Sequence, residues 1–181
     1  MTRMASRTLY VLLEGNDDER FFRTLLKPYL ERRYRKIKFW KYARERRKNT
    51  LKFIRSLRRM EADFIFVRDI DMAPSVREKK QEIAKYYEDA IPDQAMMIVV
   101  MEIESWYLAG SDTGYFQERG IRLGAGSTDD LTKEMFNQLI PPRMSRIEFL
   151  NEILQHYSLE RGVSRNNSFR YFVEHWIRIY H

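Results

Sequence analysis

The chain has no cysteine and only three histidines among its 181 residues. The first absence excludes a disulfide framework and a thiolate metal site. Three scattered histidines do not make an all-imidazole zinc site either, so any metal must be held largely by carboxylates. No apolar stretch approaches the roughly 18 residues that a membrane-spanning helix needs, and the opening MTRMASRTLY lacks the apolar segment of a signal peptide. The expectation is a cytoplasmic protein with no membrane partner. There is no GxxxxGK[ST] loop, so ATP-driven work would require a separate ATPase subunit. Internal repeats and low-complexity linkers are also missing.

What is present is an uneven distribution of charge. The formal net charge is +7, yet residues 32–59 carry fourteen Lys or Arg against the single acid Glu45. The rest of the chain is therefore net acidic. Such a block suits a polyanion-binding face, with Phe39, Trp40 and Tyr42 interleaved as stacking groups. The alternative is a solvated helix face beside an ordinary strand.

Short apolar runs alternate with longer amphipathic segments, the pattern of an α/β fold with a mostly parallel, Rossmann-like sheet flanked by helices. TLYVLL (8–13), DFIFV (63–67) and MMIVVM (96–101) read as buried strands, and KIKFWKY, ending at Tyr42, as a half-exposed one. A helix after the first strand would place Phe21, Phe22, Leu25, Leu26, Tyr29 and Leu30 on one stripe, with Pro28 able to bend it. A second helix near 49–60 would turn Phe53, Ile54, Leu57 and Met60 inward. A third, over about 75–90, would bury Val76, Ile83, Tyr87 and Ala90. The reading is one domain, with an α/β core over 1–112 and a C-terminal helical extension over 113–181. That extension would hold helices near 145–157 and 167–180, the latter with a stripe of Phe169, Phe172, Val173, Trp176, Ile177 and Tyr180 that serves packing.

Each buried strand runs apolar and then meets acid. Leu13 leads into Glu14, Val67 through Arg68 into Asp69 and Asp71, and Met101 into Glu102 and Glu104. In a parallel sheet all C-terminal strand ends share one edge, where the ligand crevice opens. Carboxylates crowded there repel one another and call for a counter-cation, and Mg²⁺ or Mn²⁺ is the hard ion suited to oxygen ligands. Glu14 and Asp18 stand four residues apart at a helix start, and Asp69 and Asp71 sit together across a strand end. Each pair alone is also what helix N-termini and acidic loops ordinarily display. On this reading, neutralising Asp71 should relieve like-charge repulsion.

The order of Glu14, Gly15 and Asp18 after a first strand (EGxxD) and of Asp69 and Asp71 after a later one (DxD) resembles the TOPRIM domain of topoisomerases, primases and several nucleases. The segment EIESWYLAGSD (102–112) and the tail SRNNSFRYF (164–172) resemble the small stand-alone TOPRIM proteins of the OLD-nuclease-like group. The resemblance implies a TOPRIM fold, one or two divalent ions, and phosphodiester chemistry on nucleic acid. By motif position Glu14 would be a metal ligand or general acid/base. Asp18 would be a direct or outer ligand, Asp69 and Asp71 the main ligands, and Glu102 or Glu104 the ligand of a second ion. Topoisomerase versions add a third alternating acid, where this chain has Ala73, and nothing here suggests a strand-cleaving tyrosine domain or a primase module.

The function expected is metal-dependent hydrolysis of DNA or RNA, with Glu14, Asp69 and Asp71 catalytic. Arg46, Arg47, Lys52, Arg55 and Arg59 would form an electrostatic track for the phosphate backbone. The main alternative is a non-catalytic module whose acids bind one ion structurally or dock a partner. A receiver-type phospho-acceptor domain also clusters acids at strand ends, but no Lys closely follows the strand at 96–101.

Overall fold

A computed structural model describes residues 8–178. Strand β1 (Thr8–Leu13) has Leu9, Val11, Leu12 and Leu13 fully buried, as a strand covered on both faces must. It pairs in parallel with β2 (Lys36–Lys41) on one side and β3 (Asp63–Asp69) on the other, and β4 (Met96–Val99) completes a sheet of order β2-β1-β3-β4. All four strands are parallel, giving an α/β, Rossmann-like sheet. Because the chain winds from β1 to β2 and then back past β1 to β3, the direction of winding reverses between β1 and β3. A crevice opens at the carboxyl ends of strands at such a reversal.

The helices follow from local sequence. Helix α1 (Asn16–Phe21) runs through a π-helical segment (Phe22–Leu26) into α2 (Lys27–Leu30). Pro28 cannot donate a backbone hydrogen bond, and its ring would crowd the carbonyl one turn back. The wider π turn absorbs that conflict without ending the helix. Phe21, Phe22, Leu26 and Leu30 are buried, whereas Leu25 and Tyr29 are only half-buried. Helix α3 (Arg47–Arg59) buries Thr50, Leu51, Ile54 and Leu57. Met60, expected inside, is the residue that ends the helix and is 57% exposed. Helix α4 (Val76–Tyr86) starts at Ser75, whose hydroxyl accepts from Glu78 N. It is shorter than expected because Glu88 and Asp89 take positive φ and turn the chain, so Tyr87 and Ala90 are buried from the turn and Val76 lies exposed.

The chain divides into two compact units, one up to Ile98 and one from Val99. The division falls earlier than the boundary after residue 112 suggested by sequence, because EIESW begins the second unit's first helix. That unit contains α5 (Ile103–Ala109), α6 (Thr113–Gln117), α7 (Lys133–Gln138), α8 (Arg146–Gln155), α9 (Leu159–Arg165) and α10 (Asn167–Phe172), with a π-helical continuation over Val173–Ile177. Phe169, Phe172 and Val173 are buried, Trp176 and Ile177 are half-buried, and Tyr180 lies outside the described residues. Gly110 is required sterically, since a Cβ there would lie 2.1–2.5 Å from atoms of the Tyr157 ring. Among the described residues no helix is long and apolar enough to cross a membrane.

Candidate functional site

A cleft of about 530 Å³ opens at the carboxyl edge of the first unit's sheet, lined by Glu14, Tyr42, Phe66, Arg68, Lys79 and Tyr87, with Arg47 and Tyr86 also on its wall. Strand alternation explains the first of these. Phe64 and Phe66 share a core face with Leu12, so the next residue of the same parity on each strand is Arg68 on β3 and Glu14 after β1. Extending the register that pairs Leu12 with Phe66 sets Glu14 opposite Arg68.

These two residues form an ion pair, Arg68 Nη1 to Glu14 Oε1 at 3.1 Å. The same guanidinium reaches Asp71 Oδ2 through Nη2 at 3.3 Å, and Lys79 Nζ donates to that oxygen at 2.6 Å. The Lys79 side chain is only 7% exposed. Burial pushes the Asp71 carboxyl up, but the Lys79 hydrogen bond and the Arg68 charge outweigh it and leave the group below its ordinary value. Burial alone would ease the proton off Arg68, but the neighbouring Tyr42 and Glu14 more than reverse this. Tyr42 donates to Val67 O at 2.7 Å and stacks on Phe66 at 4.5 Å, and burial raises its phenol well above the usual range. Asp71 itself has φ 50°, a left-handed conformation that Asp tolerates better than most residues.

The acids singled out by sequence meet different fates. Glu14 and Asp69 stand at the carboxyl ends of neighbouring strands, on either side of the winding reversal. Asp69 does not line the cleft, because alternation along β3 gives it the face opposite Arg68. Glu14 Oε2 is buried and accepts no hydrogen bond. Asp18 Oδ2 accepts from Gly15 N at 3.1 Å, closing the first turn of α1, and the side chain is almost fully buried.

In the second unit Glu102 Oε2 accepts from Lys133 N at 2.6 Å, capping α7. Glu104 is buried and ion-paired with Arg146 of α8. Burial is the larger influence on it and raises its carboxyl despite that partner. Both acids of the expected second-ion site therefore serve helix packing. Among the described residues no three Asp, Glu or His side chains are grouped so as to hold an ion. Glu14 nonetheless suits a hard cation, since its buried Oε2 has no hydrogen-bond partner. Mg²⁺ commonly takes one or two carboxylates and fills the remaining positions with water and substrate phosphate.

The basic block lies where the sequence places it. Arg46, Arg47, Lys52, Arg55 and Arg59 are all exposed, and Lys48, Lys52, Arg55, Arg58 and Arg59 line a groove on α3. Glu88 shares its carboxylate between Arg47 at 2.9 Å and Arg55 at 2.5 Å. Two of the three interleaved aromatics are turned to packing. Tyr42 is buried, and Trp40 lies 4.4 Å from Phe53 between ring centroids. Phe39 sits beneath Arg23 at 4.6 Å.

Sequence reasoning missed Arg68, Lys79, Tyr86 and Tyr87 as members of the site. Arg68 was discoverable from its parity with Phe64 and Phe66. Lys79 carried no signal, since a lysine on an amphipathic helix ordinarily faces water. The chain finds no match among protein-family models, curated proteins or solved structures.

Proposed function

We propose that the protein is a metal-dependent nucleic-acid phosphodiesterase of TOPRIM type, with the ion held at the sheet edge between β1 and β3. The observation that carries this reading is the placement of Glu14 and Asp69 at the carboxyl ends of two adjacent parallel strands that flank the winding reversal, with Glu14 Oε2 buried and lacking a hydrogen-bond donor. Glu14 would hold the ion, Asp69, which leaves β3 on the other face, would have to reach it around the strand end, and Asp71 and Asp18 would stand close by. A divalent cation there supplies charge stabilisation to phosphate oxygens and lowers the pKa of attacking water. Arg68 would orient Glu14, and the cations of α3 would hold the substrate backbone. Because Glu102 and Glu104 are committed to the second unit's packing, one ion fits the site better than two. A separate ATPase subunit would couple any ATP-driven step.

A second reading, a non-catalytic metal- or nucleic-acid-binding module, draws support from the internal neutralisation of Glu14 and Asp71 by Arg68 and Lys79. The deciding experiment incubates wild type, Glu14→Gln and Asp69→Asn with plasmid, linear duplex and single-stranded substrates in Mg²⁺ or Mn²⁺. Melting temperature is followed with and without metal. Cleavage by wild type alone, lost by orders of magnitude in both variants while they remain folded, is expected. Metal-dependent melting without cleavage of any substrate would leave the binding module.

A further inference from the structure

The cleft and the helix beside it differ in kind. The six charged side chains on the cleft wall, Glu14, Glu45, Glu82, Arg47, Arg68 and Lys79, balance in formal charge, and the remainder is largely aromatic. Helix α3 carries six Lys or Arg and no acid. A charge-balanced, aromatic cleft is suited to an uncharged planar group, and a purely cationic helix to phosphates. Arg47 belongs to both, since it starts α3 and its guanidinium lies 5.2 Å from the ring centroid of Tyr86. Tyr86 is 53% exposed, unlike Tyr42 and Tyr87, and meets Tyr87 edge to face at 4.8 Å.

We infer that the first unit binds single-stranded nucleic acid, with the backbone on α3 and one unstacked base in the cleft against Tyr86. This rests on the nucleic-acid reading above and assigns its substrate class. A cationic groove next to an exposed aromatic platform is the arrangement that recognises single strands, because every base offers a π face once it leaves the stack. In a duplex that face is covered, so only the α3 phosphate contacts remain. The cleft volume of about 530 Å³ falls within the ~300–1,000 Å³ span of small-ligand pockets, enough for a base and too confined for paired strands.

The test is fluorescence anisotropy in EDTA, which separates binding from hydrolysis, using a labelled single-stranded oligonucleotide and the duplex of the same sequence. Wild type should favour the single strand. Tyr86→Ala should weaken single-strand binding about tenfold with duplex binding unchanged, and Tyr86→Phe, which keeps the ring, should bind as wild type. Equal or tighter duplex binding, an undiminished Tyr86→Ala, or a Tyr86→Phe as weak as the alanine variant would each overturn the inference. Single-strand preference without metal-dependent cleavage would remove the hydrolase reading alone. Cleavage of duplex without that preference would remove this inference alone.

Discussion

Arg68 Nη1 lies 3.1 Å from Glu14 Oε1, and the other terminal nitrogen of the same guanidinium lies 3.3 Å from Asp71 Oδ2. One cation thus spans acids that follow two different strands, at the edge where a divalent ion would otherwise compensate them. Arg68 and an ion bound there would compete for the same negative charge.

Arg68→Gln should therefore bind Mn²⁺ about tenfold more tightly or better, since a unit charge near 4 Å is worth several kcal/mol at an effective dielectric of ~20. Without metal the variant should lose only about 1 kcal/mol, the pair being about one-third exposed at each side chain (32% and 30%). Isothermal titration with Mn²⁺ and chemical denaturation in EDTA measure the two effects. Unchanged Mn²⁺ affinity would show that Arg68 does not stand in the ion's way.

Asp71→Asn should destabilise the metal-free protein by about 1–2 kcal/mol, because it leaves the Lys79 ammonium deep in the fold with only Glu82 nearby at 3.7 Å. This reverses the sign that a cluster of mutually repelling acids would give, since the neighbours of Asp71 are cations. The pH dependence follows. The folded-state pKa of Asp71 is depressed, so its contribution is present above the unfolded value near 3.8 and is lost as pH falls through the lower folded value. Denaturation curves of wild type and variant should converge in that acid range and stay apart at neutral pH.

Arg146→Ala should cost about 3–5 kcal/mol at neutral pH, because it strands the buried Glu104 carboxylate. Here the folded-state pKa is raised, burial being the main cause, so the folded state holds its proton to higher pH. The deficit should shrink as pH falls through that raised value and Glu104 becomes neutral. Urea denaturation across mildly acidic to neutral pH checks this, and a deficit independent of pH would refute it.

Replacing Lys52, Arg55 and Arg59 together by Ala should weaken single-strand binding and reduce the slope of log K against log salt by about 2, given ~0.7 per phosphate contact on single strands. All three side chains are exposed, so melting temperature should hardly change. An unaltered slope would mean that α3 does not carry the backbone.

The strands and the acid edge were legible in the sequence because burial on both faces leaves continuous apolar runs, and these break where the chain meets solvent. Glu14 and Asp69 stand at the strand ends where that logic puts them, but only Glu14 faces the cleft. The fates of Glu102, Glu104 and Lys79 were not legible. Whether an acid caps a distant helix, as Glu102 does for Lys133, depends on contacts between segments that no local pattern encodes. The helices of residues 103–172 were only partly visible for a related reason: α6, α7 and α9 are one or two turns long and are held by caps such as Asp112, Thr132 and Ser158 rather than by a long apolar stripe.

The polar cluster at the heart of the second unit has a consequence for how the chain is made. Trp106 Nε1 donates to Ser168 Oγ at 2.8 Å, and Asn166 Nδ2 donates to Ser105 Oγ and Thr128 Oγ1 at 3.3 and 3.1 Å. The partners lie 62, 61 and 38 positions apart in the sequence and are all buried. On the ribosome, the segment directly after β4 therefore stays open with its polar groups hydrated, since burying them before Asn166 and Ser168 emerge would leave them unpaired, whereas β1, β2 and β3 can already pair. Synthesis should pass through a stage in which the first unit is folded and the second is a nascent, chaperone-accessible stretch.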